Sequence, residues 1–214
     1  MVLRFRSLAF AGSLVAHPLL IMAYWLLYPA YGLLHAADIA RAIAGQPGMA
    51  TAADACAYAG VFLAVPATIA VMHVLERPSP RLAFIGGTLS LAGWIALVGV
   101  LMGDVVAIHR DGGGPPSPRF LDFYDHLMND PFILALNAMA LLHVIGAVVL
   151  GVGLYRTQIV PRWAGILAII APPIHLGSNF AGRLWIDVAA WVAIAAVGVC
   201  VARLVLRGEP RPTD

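Results

Sequence analysis

The chain contains 214 residues, of which 61% are hydrophobic and 11% are charged, and its formal net charge is +2. An ordinary soluble domain has about 25% charged residues, so the composition excludes a disordered chain, a nucleic-acid-binding protein and a typical cytosolic enzyme. All 13 basic residues are arginine, and the absence of lysine excludes chemistry that needs a lysine Schiff base. The composition predicts an integral membrane protein surrounded mainly by the lipid bilayer.

Six apolar stretches are long enough to cross a membrane, which requires about 20 mostly apolar residues. We predict spans near 8–31, 54–75, 82–103, 132–154, 163–181 and 185–206. The predicted fold is an all-α membrane protein, a bundle of six transmembrane helices that forms one polytopic domain over residues 1–214. Membrane helices tolerate proline, but we expect the Pro172-Pro173 pair to interrupt the fifth helix and release backbone carbonyls.

Two longer connections lie on the side opposite to the N-terminus, which we call the outer side. The first, near 32–53, contains a turn signal at 45–48. The second, near 104–131, starts at Asp104 and passes through a stretch rich in glycine and proline. Its last part, the segment 117–130, has apolar residues at spacings of three and four with acidic residues between them. This pattern predicts a short amphipathic helix that lies in the membrane interface.

The distribution of charge predicts the orientation of the bundle. If the N-terminus is cytoplasmic, nine of the 13 arginines fall in inner segments and eight of the 11 acidic residues fall in outer ones. The inner arginines are Arg4, Arg6, Arg77, Arg81, Arg156, Arg162, Arg203, Arg207 and Arg211. Since cytoplasmic loops carry an excess of basic residues, we predict that the N- and C-termini are both cytoplasmic.

One hairpin of the sequence resembles a segment of known membrane proteins. Near residues 150–170, Gly-Leu-Tyr-Arg ends one predicted helix and Pro-Arg-Trp-Ala-Gly begins the next. This segment resembles a hairpin of several uncharacterised bacterial multi-pass integral-membrane families of unknown function. The resemblance implies a location in the bacterial inner (plasma) membrane, and it brings neither an activity nor functional residues.

Histidines inside membrane spans are costly and mark candidate functional sites. His17 on the first predicted helix and His143 on the fourth lie at similar depth, near the middle of the bilayer. A b-type haem needs two axial histidines on different helices at one depth. An electron-transfer protein that binds haem b through His17 and His143 is therefore one alternative for the function.

A second group of polar side chains converges on the outer half of the predicted bundle. His175 and Asn179 are four residues apart on the fifth helix and therefore share a face. The predicted members of this pocket are His126, Asp130, Asn137, His175, Asn179, Arg183 and Asp187. The leading hypothesis is an outward-facing polar pocket that binds or transports a small, lipophilic ligand.

The same residues leave other functions open. Mixed histidine and aspartate side chains can bind zinc or another divalent metal, which would suit a metal-dependent enzyme acting on lipid, although the sequence lacks a His-Glu-x-x-His motif. The polar groups can also be ordinary hydrogen-bonding contacts between helices. An accessory subunit of a larger membrane complex, or a homo-oligomer, would need no site at all.

Aromatic residues cluster at the outer end of the first predicted helix. Tyr24, Trp25, Tyr28 and Tyr31 follow one another within eight positions. Tyrosine and tryptophan are enriched where membrane meets water, so the cluster favours an aromatic belt at the outer interface over a cage around a ligand.

Overall fold

A computed structural model describes residues 2–109 and 114–207, with side chains from residue 6 onward. Within these ranges the chain forms nine α-helices and no strand. The helices are α1 Val2–Leu27, α2 Ala36–Gly45, α3 Pro47–Leu75, α4 Pro80–Ile108, α5 Pro118–Met128, α6 Pro131–Ala140, α7 Leu142–Thr157, α8 Arg162–Phe180 and α9 Leu184–Arg207. Some residues used in the sequence predictions lie outside the described part: Arg110, Asp111, Gly112, Gly113, Glu209, Arg211, Asp214 and the side chain of Arg4.

Five described segments are long and apolar enough to cross a membrane: most of α1, α3, α4, α6 together with α7, and α9. The chain is therefore a helical multi-pass membrane protein, as its composition predicts. The fifth predicted span corresponds to α8, which has 19 residues and is not among these five segments. Its length of about 28 Å is close to the thickness of the hydrocarbon core, and it packs between α7 and α9. That α8 also crosses the membrane, which would make six spans, stays a prediction. The orientation of the termini stays a prediction too.

The long helices form a closed ring in their order along the chain. α1 packs on α3, α3 on α4, α4 on α6 and α7, α7 on α8, α8 on α9, and α9 returns to α1. Glycines permit a close contact in the ring, where Gly86 and Gly93 of α4 lie against the backbone of Gly146 and His143 of α7. Small residues are typical of such contacts, because they let two helix backbones approach closely in a membrane.

The short helices α2 and α5 pack against each other and cover one end of the ring, and we call this layer the cap. The predicted amphipathic helix is confirmed as α5, and the Ser117 hydroxyl begins it by accepting the Phe120 N–H at 3.2 Å. The helix α2 was not predicted from the sequence. Its buried residues Ala36, Ala40 and Ile43 nevertheless recur at helical spacing.

Three helix ends differ from the predicted spans. α1 ends at Leu27 rather than near 31, because Pro29 disfavours the helical conformation at the residue before it. α3 begins at Pro47, seven residues earlier than predicted, so Asp54 lies inside the helix. α4 continues to Ile108, which places Asp104 inside a helix rather than in a loop.

The expected interruption of the fifth helix at its two prolines is wrong. α8 is continuous through Pro172 and Pro173. These prolines leave the carbonyls of Ala168 and Ile169 without their helical donors, and this part of the α8 backbone lies directly against Gly151 of α7. α8 therefore continues past both prolines at a place where it packs closely against a neighbouring helix.

A one-residue irregularity, which we call the break, occurs instead between α6 and α7 at Leu141, whose backbone stays helical at φ −59° and ψ −20°. The imidazole Nδ1 of His143 donates a hydrogen bond to the carbonyl of Ala140 at this point. A side chain that bonds to a nearby carbonyl replaces the hydrogen bond that the break removes. The break thereby fixes the position of the His143 ring near the middle of the ring of helices.

Candidate functional site

A cavity of about 300 Å³ lies inside the ring and reaches from the cap towards its middle. Along α4 it extends from Trp94 to Asp104, which is ten residues or about 15 Å. Much of its wall is aromatic: Tyr24, Trp25, Tyr28, Trp94, Tyr124 and Trp191. Its main polar side chains, besides the tyrosines, are Asp104, Asn137, His143, His175 and Asn179. An apolar cavity with a few converging polar groups is typical of a small-molecule site.

His175 of α8 and Asp187 of α9 form a buried pair at this wall. Nδ1 of His175 lies 2.6 Å from Oδ1 of Asp187, and Asp187 is 0% exposed. The second carboxylate oxygen accepts a hydrogen bond from the Tyr31 hydroxyl at 3.1 Å. Partial burial and the charge of Asp187 raise the pKa of Tyr31 to about 12, so Tyr31 stays a donor at neutral pH. Two donors thus compensate the burial of this carboxylate.

The position of the imidazole proton follows from a third neighbour. The indole nitrogen of Trp191 lies 3.0 Å from Nδ1 of His175, and one ring nitrogen cannot both donate to Asp187 and accept from Trp191. The contact with the carboxylate is shorter and charge-assisted, so we assign the Nδ1 proton to that bond. Nε2 of His175 then carries a lone pair and can accept a proton or a hydrogen bond.

His17 and His143 also use Nδ1 to bind the backbone. The carbonyl of Gly60 lies 2.9 Å from Nδ1 of His17, and the carbonyl of Ala140 accepts from His143. The ring of Trp94 contacts both imidazoles, with centroid separations of 4.7 Å to His17 and 4.4 Å to His143. Since a haem bound between these histidines would need the place of the Trp94 indole, this geometry does not favour the haem hypothesis.

Two buried carboxyl groups lie near the cap end of the cavity, and only one of them, Asp104, lines it. Asp104 is 8% exposed, lines the cavity and accepts a hydrogen bond from the Tyr28 hydroxyl at 2.8 Å. Asp54 of α3 is 6% exposed, and neither of its carboxyl oxygens has a hydrogen-bond partner. Tyr124 of the cap is fully buried, lines the same cavity, and also has no partner for its hydroxyl. The cap end is therefore the acidic end of the cavity.

The structure brings four of the seven predicted pocket residues together. Asn137, His175 and Asn179 line the cavity. Asp187 does not line it but binds the His175 side chain. The Asn137 amide donates to the carbonyl of Ile133 at 3.0 Å.

The other three lie outside the lining of the cavity. Asp130 is exposed and caps α6 by accepting the Phe132 N–H at 2.8 Å, and Arg183 is exposed at the start of α9. His126 is exposed on α5 and lies 2.8 Å from the Asp122 carbonyl. That hydrogen bond and the charge of Asp122 raise the pKa of His126.

Three buried donors around the cavity have no polar atom of the described residues within hydrogen-bond distance. They are the indole N–H of Trp25, the hydroxyl of Tyr124 and the side-chain amide of Asn179, and all three residues line the cavity. Buried polar groups are almost always hydrogen-bonded in folded proteins. A molecule in this cavity that supplies acceptors, bound water included, would satisfy these donors.

The geometry of a metal centre is not present in the part of the chain that the structure describes. No group of three or more histidine, cysteine, aspartate or glutamate side chains there is placed to hold a metal ion. His175 and Asp187 instead bind each other. The metal-dependent enzyme stays a hypothesis from the sequence.

Asp104 and the aromatic wall were not predicted from the sequence. Trp94, Leu97, Leu101 and Asp104 all line the cavity, and their spacing of three, four and three is that of one helix face. Extending the third predicted span by one turn would have revealed this face. The prediction that Tyr24 belongs to an aromatic belt at the membrane interface is also wrong, because this residue is only 7% exposed. Tyr24, Trp25 and Tyr28 line the cavity instead.

Comparison with known proteins adds no family to this description. No protein-family model, curated protein or solved structure matches the chain. The fold and the cavity define the class as a helical multi-pass membrane protein, and the functional argument rests on the site itself.

Proposed function

We propose that the protein binds or transports a small, mostly apolar ligand in the cavity inside the helix ring, on the outer side of a bacterial inner membrane. The observation that carries the proposal is the set of partnerless donors from Trp25, Tyr124 and Asn179 around one cavity. They suit a ligand with oxygen acceptors on an apolar skeleton. The aromatic wall suits the skeleton, because aromatic side chains provide large, rigid contact areas.

The proposed orientation follows from charge. The arginines at the end of the ring away from the cap are Arg6, Arg77, Arg81, Arg156, Arg162, Arg203 and Arg207, whereas Arg41, Arg119 and Arg183 lie at the cap end. This asymmetry supports cytoplasmic termini and a cap on the outer side. With α8 as the sixth span, the cavity lies in the outer half of the bilayer.

Binding of a neutral aryl ketone tests the proposal. Butyrophenone combines an apolar skeleton with one acceptor, and it is titrated into the purified protein in detergent while tryptophan fluorescence is measured. Trp25, Trp94 and Trp191 line the cavity, so we expect saturable quenching. Ala140→Phe should abolish it, because Ala140 is a cavity residue that is 6% exposed and the larger ring takes up the space.

Ala138→Phe is the matched control. Ala138 lies two residues away on α6, is exposed and is not among the lining residues, so this variant should bind butyrophenone as the wild type does. Asn179→Leu removes one of the three donors and should weaken binding several-fold. Quenching that does not saturate, or that Ala140→Phe leaves unchanged, would refute the cavity as a binding site.

A further inference from the structure

The acidic end of the cavity contains charge that the described part of the chain does not balance. Neither Asp54 nor Asp104 forms an ion pair with a described arginine or histidine. The exposed His109 at the end of α4 interacts electrostatically with Asp54, but the two do not form an ion pair. His109 does not line the cavity. A carboxylate buried at membrane depth without a counter-charge is strongly unfavourable. As far as the described residues go, a proton or a bound cation is therefore needed to neutralise this end of the cavity.

An independent observation at the same place points to a ligand. The Tyr124 hydroxyl is fully buried without a partner, and it lies next to Gly103, the residue before Asp104. Burial, together with the charges of Asp104 and Asp54, raises the pKa of Tyr124. Tyr124 therefore remains neutral, and its oxygen can accept a hydrogen bond. A group that donates to both Asp104 and Tyr124 would satisfy both side chains.

The aromatic rings around Asp104 favour a positive charge on that group. Tyr24 lies 4.5 Å from Trp25 and 4.9 Å from Tyr28 between ring centroids, and all three residues line the cavity with Asp104. The faces of tyrosine and tryptophan rings attract cations, and the attraction is larger in a site shielded from water. A carboxylate bordered by aromatic rings is chemically suited to an ammonium group.

We infer that the ligand carries a protonated amine, which binds Asp104 and the Tyr124 oxygen at the cap end of the cavity while its apolar part extends towards Trp94. This inference rests on the proposed function, because it assigns a chemical class to the ligand of that cavity. Protonated amines donate through N–H groups, which matches the two acceptors. The distance from Asp104 to Trp94 along α4, about 15 Å, leaves space for an aryl or alkyl chain.

Two probes of the same shape test the charge. 4-Phenylbutylamine is protonated at pH 7, whereas 4-phenyl-1-butanol is neutral and nearly isosteric with it. Each is titrated at pH 7 into the full-length protein in detergent, with tryptophan fluorescence as the readout. We expect the amine to bind at least about tenfold more tightly than the alcohol. In Asp104→Asn the two affinities should come within about twofold of each other, because only the amine loses a charged partner.

Asp122→Asn is the control for the loss of one negative charge. Asp122 lies on the cap helix α5 with 77% of its side chain exposed, so the preference for the amine should persist. Equal binding of the two probes by the wild type overturns the amine inference, and that comparison decides the question even if Asp104→Asn does not fold. A preference that survives in Asp104→Asn also overturns it.

The outcomes separate this inference from the proposed function. If the alcohol binds saturably and Ala140→Phe abolishes that binding, the cavity is a ligand site whether or not the amine is preferred. If neither probe binds, the amine inference is wrong. The butyrophenone experiment then decides separately whether the cavity is a ligand-binding site.

Discussion

Asp187 shows how a charged side chain is held in the interior of this protein. It is 0% exposed, and it receives one donor from His175 and one from Tyr31. The pair with Asp187 sets the tautomer of His175, so one residue that does not line the cavity controls the chemistry of one that does. Positioning of a histidine by a carboxylate is a common way to direct the free nitrogen of the ring.

Replacement of Asp187 should therefore affect stability more than replacement of an exposed aspartate. Asp187→Asn keeps the size of the side chain and removes the charge, and we expect it to lower the free energy of unfolding by about 2–3 kcal/mol, the contribution of hydrogen bonds to charged groups. Asp122→Asn on the cap surface should change it by less than about 0.5 kcal/mol. Reversible unfolding in mixed micelles, followed by circular dichroism, measures both. Equal effects would contradict the buried pair.

At the scale of helices, the contact between α4 and α7 depends on the absence of side chains. A Cβ atom at Gly146 would meet the backbone of Ser90 and Gly86, whereas a Cβ atom at Gly177 of α8 would have no atom within 4 Å. Both glycines lie inside helices. The two positions therefore separate the steric effect of a methyl group from its effect on helix propensity.

We predict opposite signs for the two alanine substitutions. Gly146→Ala should destabilise the protein by about 1–3 kcal/mol, because the added methyl group forces α4 and α7 apart. Gly177→Ala should stabilise it by up to about 1 kcal/mol, because alanine loses less backbone entropy than glycine when a helix forms. The midpoint of thermal unfolding in detergent compares the two variants. Destabilisation of equal size at both positions would mean that the α4–α7 contact does not need a glycine.

At the scale of the whole molecule, helix order and charge together predict the orientation. The ring places the loop at Ser79 at the arginine-rich end and the turn at Gln46 at the cap end. In a background in which Cys56 and Cys200 are replaced by alanine, Gln46→Cys should react with a membrane-impermeant maleimide in intact spheroplasts. Ser79→Cys should react only after lysis. The reverse pattern would show that the termini face outward.

The sequence predicts more of the fold than of the cavity, and particular residues show why. Segment length and hydropathy identify the apolar helices, because crossing a bilayer constrains both quantities locally. Helix ends are less constrained. The predicted third span ended about one turn too early, which placed Asp104 in a loop instead of on the wall of the cavity. His175 and Asn137 could be placed in the outer half by counting along their helices. His126 and Asp130, which precede Asn137 by 11 and seven residues, could not be separated from it in this way.

The class of helical multi-pass membrane protein follows from the sequence alone, because 61% of the 214 residues are hydrophobic and long apolar runs satisfy their backbone hydrogen bonds in a bilayer as helices. The cavity depends instead on which helix faces meet. α4, α8 and α9 contribute Asp104, His175 and Trp191, and Tyr28 directly follows the end of α1. These residues come from separate segments of the chain and become neighbours only when α9 closes the ring on α1. Periodicity describes one helix at a time, whereas a hydrogen bond such as that between Tyr28 and Asp104 requires two helices in a defined register.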